Sequence, residues 1–282
     1  MDWENESIRC QNLPYTLNQN ITNILDGFKR AVHEKNTSAV ILVDGKSGLG
    51  KSTLSFQIAK YCDPTFDLNK VHYNPETFLE GSKDKLGLND AQQGDCLVFD
   101  EAMIFSNRSS LSHINRMIVQ AMSMIRSKKL FIIFAVNSIF DLDKNLAIFR
   151  AEILFHVYGE SLTDRGRVMA FFKGGDGIDR LKMVYLLGKK FYDYSKPRSN
   201  FFTKFPKHFA VDENEYEKQK QEGVNEFLNS MGKSNMTSKK DSILNNAILH
   251  LSKEKGLTQQ EISEILGCSD RTIRNIISRN RN

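Results

Sequence analysis

One eight-residue segment constrains this chain more than any other. Gly45-Lys-Ser-Gly-Leu-Gly50-Lys51-Ser52 places two glycines, a lysine and a hydroxyl at every fixed position of the pattern G-x-x-x-x-G-K-[ST]. Before it runs Ser38-Ala-Val-Ile-Leu-Val-Asp44, short, apolar and rich in branched residues, as expected of a strand buried on both faces. After it comes a helical pattern carrying Leu54, Ile58 and Ala59. Strand, glycine turn and helix make one βα unit. The glycines allow a tight turn that points backbone N–H groups at an anion. A helix starting near Lys51 adds the positive end of its dipole.

Residues Gly45, Lys46, Ser47, Gly48, Leu49, Gly50, Lys51, Ser52 and Thr53 are therefore candidate nucleotide-binding residues. Lys51 is expected to reach the β- and γ-phosphates, and the Ser52 hydroxyl to bind Mg²⁺. A second motif supplies the other half. Cys96-Leu-Val-Phe99 reads as a buried strand that ends on Asp100-Glu101. An acid at that point holds Mg²⁺, so Asp100 joins Ser52 as a candidate metal ligand. Glu101 is placed to orient and deprotonate a water that attacks the γ-phosphate.

The remaining pattern alternates strands and helices. Residues 17–33 read as a helix with Ile21, Ile24, Leu25 and Phe28 on one face. Val71-His-Tyr is a weak strand, and a short helix starts at Pro75. A helix over residues 114–127 carries Ile114, Met117, Ile118, Met122 and Ile125. Residues 130–136 and 153–157 are further buried strands around a short helix at 143–149. Such alternation implies a parallel sheet covered by helices. Residues 168–172 and 181–187 flank Gly174-Gly-Asp-Gly177 and read as a hairpin extending the sheet edge. The fold class expected is α/β: a parallel-sheet core with an antiparallel edge extension and a small all-α C-terminal domain.

This core resembles the P-loop ATPases that carry an extra strand between the two motifs and a Glu after the acidic residue, a class including RecA-like, AAA+ and FtsK/HerA-type proteins. The resemblance covers roughly residues 37–160. It implies ATP with Mg²⁺, and it implies that Asn137, at the end of the fourth core strand, senses the γ-phosphate. It also implies an arginine finger reaching a neighbouring subunit's γ-phosphate, and hence a homo-oligomer. Arg150, just before the last core strand, fits that position, with Arg126 as a competitor. Asp100-Glu-Ala, the helix ending Ile-Arg-Ser-Lys-Lys and the late Phe-Arg-Ala-Glu-Ile-Leu-Phe-His-Val are similar to the FtsK/HerA and Zot-like branch. Val136-Asn-Ser-Ile-Phe-Asp-Leu-Asp is similar to AAA+ proteins.

The tail reads as a separate unit. Thr258-Gln-Gln-Glu261 is a capping box, Gly267-Cys-Ser a tight turn and Ser269 an N-cap. Helix, glycine-containing turn and helix is the helix-turn-helix pattern, whose last helix enters the DNA major groove. Asp270, Arg271, Thr272, Arg274 and Asn275 would face DNA, and Arg279 and Arg281 would meet phosphates. The domains expected are an N-terminal helical segment (1–36), the ATPase core with its basic extension (37–210), a charged helix and linker (211–240) and the helix-turn-helix domain (241–282).

Charge agrees with a nucleic-acid partner. The net charge is only +5, but residues 162–208 hold eleven Lys/Arg against four Asp/Glu. The four cysteines lack metal-ligand or disulfide spacing, which fits a reducing, cytoplasmic compartment. The N-terminus lacks a secretory pattern, and no apolar run is long enough to span a membrane. Three functions follow as expectations. The first is an ATP-driven DNA motor or remodelling factor of a mobile element or virus. The second is an ATP-regulated transcription regulator, and the third a small-molecule kinase.

Overall fold

Every residue of β3 (Ala39–Gly45) is buried, and a parallel strand pairs with it on either side. Branched side chains on both faces leave this segment no solvated side, so it can only be a central strand. A computed structural model describes residues 7–9, 13–100, 125, 127–159, 164–234, 245, 247–252 and 257–279.

Around β3 lie β4 (Val71–His72), β5 (Cys96–Asp100), β6 (Phe131–Val136), β7 (Ile153–Tyr158), β8 (Arg167–Phe172) and β9 (Phe201–Lys204). They form one seven-stranded sheet in the order β4-β5-β6-β3-β7-β8-β9. The pairings from β4 through β7 are parallel, whereas β7–β8 and β8–β9 are antiparallel. In space β6 stands between β3 and β5, so the two motif strands are one strand apart. A separate two-stranded sheet pairs β1 (Ser7–Arg9) with β2 (Thr16–Asn18).

Helix α1 (Gln19–Glu34) starts at Asn18, whose side chain accepts from Asn20 N–H. Its Ile21, Leu25 and Val32 are buried in the same apolar core as Leu54, Ile58 and Val98. The N-terminal segment is thus part of the core. α2 (Lys51–Cys62) packs against β5 and β6, and α3 (Pro75–Glu80) follows β4.

The hairpin expected at 168–187 is corrected. β8 is a strand, but the second arm is a helix, α4 (Arg180–Gly188). Asp179 caps it by accepting from Lys182 N–H, and Leu181, Val184, Tyr185 and Gly188 point inward at helical spacing. The apolar run at 183–187 masked that spacing. β9 supplies the sheet edge instead. The short helix expected at 143–149 is a π-helical turn, Asn145–Arg150.

Helix α5 (Glu213–Ser234) fills most of the segment expected to be a charged helix and linker (211–240), whose linker the sequence puts at 232–240. The chain divides into two compact units, residues 1–224 and 225–282, and α5 belongs to both. In the second unit, residues 247–252, α6 (Gln259–Leu266) and α7 (Asp270–Arg279) are helical. They enclose a small core of Ile248, Ile262 and Ile273. No helix among the described residues is long and apolar enough to cross a membrane.

Candidate nucleotide and metal site

Parallel strands all present their C-terminal ends at one edge of the sheet, and the two sequence motifs meet there. Gly45 closes β3 at φ +139°, and a side chain there would bring its Cβ within 2.1 Å of the Val157 carbonyl oxygen. Gly50 adopts φ +102° as the residue before α2. Lys46, Ser47 and Gly48 are exposed, whereas Leu49 is buried and anchors the loop. α2 begins at Lys51 with Gly50 before it and no side-chain cap, so its first turn presents backbone N–H groups beside the loop.

Lys51 Nζ donates to the Gly45 carbonyl at 2.8 Å and to Asn137 Oδ1 at 3.2 Å. Asn137 lies directly after β6, and its own carbonyl accepts from Gly45 N–H at 3.3 Å. Ser52 Oγ donates to Asp100 Oδ2 at 2.9 Å, joining the start of α2 to the end of β5. Gly45, Lys51, Ser52, Asp100 and Asn137 are therefore gathered at one sheet edge. Glu101 and Arg126 lie outside the described residues.

Arg150 is not gathered there. It is exposed and precedes β7, whose Ile153 is level with Ile41 near the start of β3. The loop follows Gly45, four residues further along, or about 13 Å of strand. Arg150 stands toward the opposite end of the sheet from its own phosphate loop.

Two groups of residues here were not found by sequence reasoning. Asp44, fully buried, accepts from Ile139 N–H at 2.8 Å and from Tyr194 Oη, and its other oxygen meets His156 Nδ1 at 2.7 Å. Ser138 Oγ is 3.1 Å from Tyr194 Oη, and the His156 and Tyr194 rings stack at 3.6 Å. This cluster braces the turn that carries Asn137. Burial, and then the charge of Asp44, pushes the Tyr194 phenol well above its ordinary range, so it stays a donor.

The second group comes from α5. Tyr216 Oη donates to Asp100 Oδ2 at 2.5 Å and lies 3.1 Å from Ser52 Oγ. Lys220 Nζ donates to Tyr216 Oη at 2.7 Å and sits 3.9 Å from Asp100 Oδ2. Burial first, and then Asp100, raises the Tyr216 phenol as well. One signal in the sequence could have found it: Tyr216 is the single aromatic residue in the first three turns of a charged helix.

The oxygen donors fit Mg²⁺. Ser52 Oγ and Asp100 Oδ2 are hard ligands close together, beside a loop and helix start shaped for phosphate. Among the described residues no cluster of three or more His, Cys, Asp or Glu could hold a metal.

In the C-terminal unit, Thr258 N–H meets Glu261 Oε2 at 2.7 Å and the reciprocal bond completes the capping box. Gly267 ends α6 at φ +62°, and Ser269 Oγ accepts from Thr272 N–H at the start of α7. Arg271, Thr272, Arg274 and Asn275 are exposed along α7, while Ile273 is buried. The side chain of Arg279, and Arg281 altogether, lie outside the described residues. In the basic segment, Arg167, Arg198 and Lys204 line an open groove of about 500 Å³ with Tyr158 and Phe202.

Residues 246–282 match the model of the homeodomain-like domain. No curated protein matches the chain. Among solved structures, it is similar to the VirB11 ATPase from the Brucella suis type IV secretion system (13% identity, TM-score 0.31, 55% of this chain and 53% of that one). It is also similar to a point mutant of RuvB from Thermotoga maritima (14% identity, TM-score 0.33, 90% of this chain and 84% of that one). The chain spans about half the length of the VirB11 structure.

Proposed function

We propose that this protein is a DNA-associated ATPase that binds ATP with Mg²⁺ and hydrolyses it. The observation that carries this reading is the meeting of Lys51, Asn137, Ser52 and Asp100 at the C-terminal edge of three neighbouring strands. N–H groups of the loop and the first turn of α2 would hold the β- and γ-phosphates. Lys51 would turn its ammonium from the Gly45 carbonyl toward γ-phosphate charge, and Asn137 would orient the same group. Ser52 and Asp100 would hold Mg²⁺, which supplies positive charge to the phosphate oxygens when bound. Glu101 would take the proton from the attacking water at its carboxylate. As an arginine finger Arg150, toward the far end of its own sheet, would act on the site of a neighbouring copy, and a homo-oligomer is part of this reading.

DNA as partner rests on the homeodomain-like match and on the exposed Arg271, Thr272, Arg274 and Asn275 of α7, with Arg279 and Arg281 beyond them on phosphates. An ATP-driven motor or remodelling factor of a mobile element or virus is the form of this function we favour. A nucleotide-set switch that regulates transcription is the second reading, and the contact of α5 with Asp100 favours it. Cys62, Cys96 and Cys268 are free thiols, which suits a cytoplasmic protein.

The test is steady-state ATP hydrolysis with and without duplex DNA, in the wild type and in an Arg271→Ala/Arg274→Ala variant. A motor predicts stimulation by DNA that the variant loses, with its basal rate unchanged. A slow rate indifferent to DNA supports the switch. No hydrolysis under any condition contradicts the ATPase.

A further inference from the structure

The helix that leads from the core into the C-terminal unit enters the metal end of the candidate site. Tyr216, Gln219, Lys220 and Gly223 recur at spacings of three and four, and so form one stripe of α5. All four face the core. Tyr216 is 2% exposed, with its ring edge-on to Phe56 and tilted against Phe209. Gln219 Oε1 accepts from Lys85 Nζ at 2.7 Å. A side chain at Gly223 would bring its Cβ within 2.9 Å of the Tyr73 ring, so only glycine permits this approach.

Resting on the nucleotide reading above, we propose that Tyr216 and Lys220 form a clasp that competes with Mg²⁺ for Asp100, so that metal–nucleotide loading loosens the first three turns of α5.

The geometry sets the competition. Ser52 Oγ, Asp100 Oδ2 and Tyr216 Oη lie 2.9, 2.5 and 3.1 Å from one another. Neighbouring oxygens of an octahedral Mg²⁺, bonded at 2.0–2.1 Å, are about 2.9 Å apart. The phenol oxygen thus has the spacing of a member of that shell. It also draws on the same Asp100 oxygen that a metal-bound water would use. Charge acts in the same direction. The Lys220 ammonium, 3.9 Å from Asp100 Oδ2 and 23% exposed, supplies the carboxylate with positive charge. A divalent ion on Asp100 would repel it at short range.

Coupling between two occupants of one group is reciprocal. Whatever Lys220 and Tyr216 take from Mg²⁺ affinity, bound Mg²⁺ takes from the docking of α5. Because α5 runs on to Ser234, within the second compact unit, the clasp reports metal occupancy on the helix that leads to the DNA-binding unit.

The test uses the full chain and a fluorescent, slowly hydrolysed ATP analogue. Mg²⁺ is titrated at fixed nucleotide in wild type, Tyr216→Phe and Lys220→Gln. Tyr216→Phe keeps the ring packing and removes only the donor. Both variants should lower the Mg²⁺ midpoint about fivefold, within the usual span of coupling between sites. In the wild type, backbone hydrogen exchange over residues 213–224 should quicken when Mg²⁺ and nucleotide are added together. A midpoint unchanged or raised in both variants overturns the clasp, as does exchange that stays constant or slows on loading. If the wild type binds no nucleotide, the nucleotide reading falls and the clasp with it. Binding without the shift overturns the clasp alone.

Discussion

At Gly45 the backbone leaves no room for a side chain. It sits at φ +139°, in the region that favours glycine, and the Val157 carbonyl stands where a Cβ would go. Gly45→Ala should therefore cost about 3 kcal/mol of stability, from left-handed strain and from a forced shift of β7. Urea unfolding of the two proteins measures that loss. The same strain makes Gly45 legible in the sequence, because the loop's chemistry is local and its spacing is fixed. Asp100 is legible for the same reason, as an acid closing a buried strand. Asn137 needed the resemblance to known ATPases to be singled out. Asp44, His156 and Tyr194 could not be read, since their partners lie 95 to 150 residues apart in the chain. Tyr216 is 116 residues from Asp100, and no local pattern ties the two.

At the scale of elements, short buried strands announce themselves and marginal ones do not. β3, β5, β6 and β7 were legible because branched residues buried on both faces have no other use. β9 escaped notice because a four-residue edge strand with alternating burial looks like a turn-rich loop. α4 was misread because exposed Met183, Leu186 and Leu187 fill in its helical stripe. β4, only two residues long, carries a testable feature of its own. His72 is fully buried there, and burial together with the charge of Lys85 holds its pKa down to about 3. Its folded pKa is depressed, so below about pH 6.5 the unfolded chain takes up a proton that the folded chain refuses. Stability should fall as pH drops from about 6.5 toward 3, by about 2 kcal/mol at pH 5. His72→Leu should remove that part of the acid loss. Denaturant unfolding of both proteins at pH 7.5 and pH 5 checks it, and equal losses would show that His72 is not the cause.

At the scale of the molecule, the chain joins an α/β unit with a candidate nucleotide site to a helical unit whose described residues include an exposed basic helix, α7. A polar stretch at 232–240 reads as a linker, whereas α5 continues past Gly232 to Ser234. The central claim is that the loop of the first unit works on ATP, and Lys51 is its most direct test. Lys51→Ala removes a side-chain ammonium that touches both the Gly45 carbonyl and Asn137, while the strand, glycines and helix that form the loop remain. Phosphate release from ATP and Mg²⁺ should fall at least about a hundredfold in that variant, as for loss of a group that stabilises transition-state charge. A near-normal rate in a correctly folded Lys51→Ala protein would contradict the account.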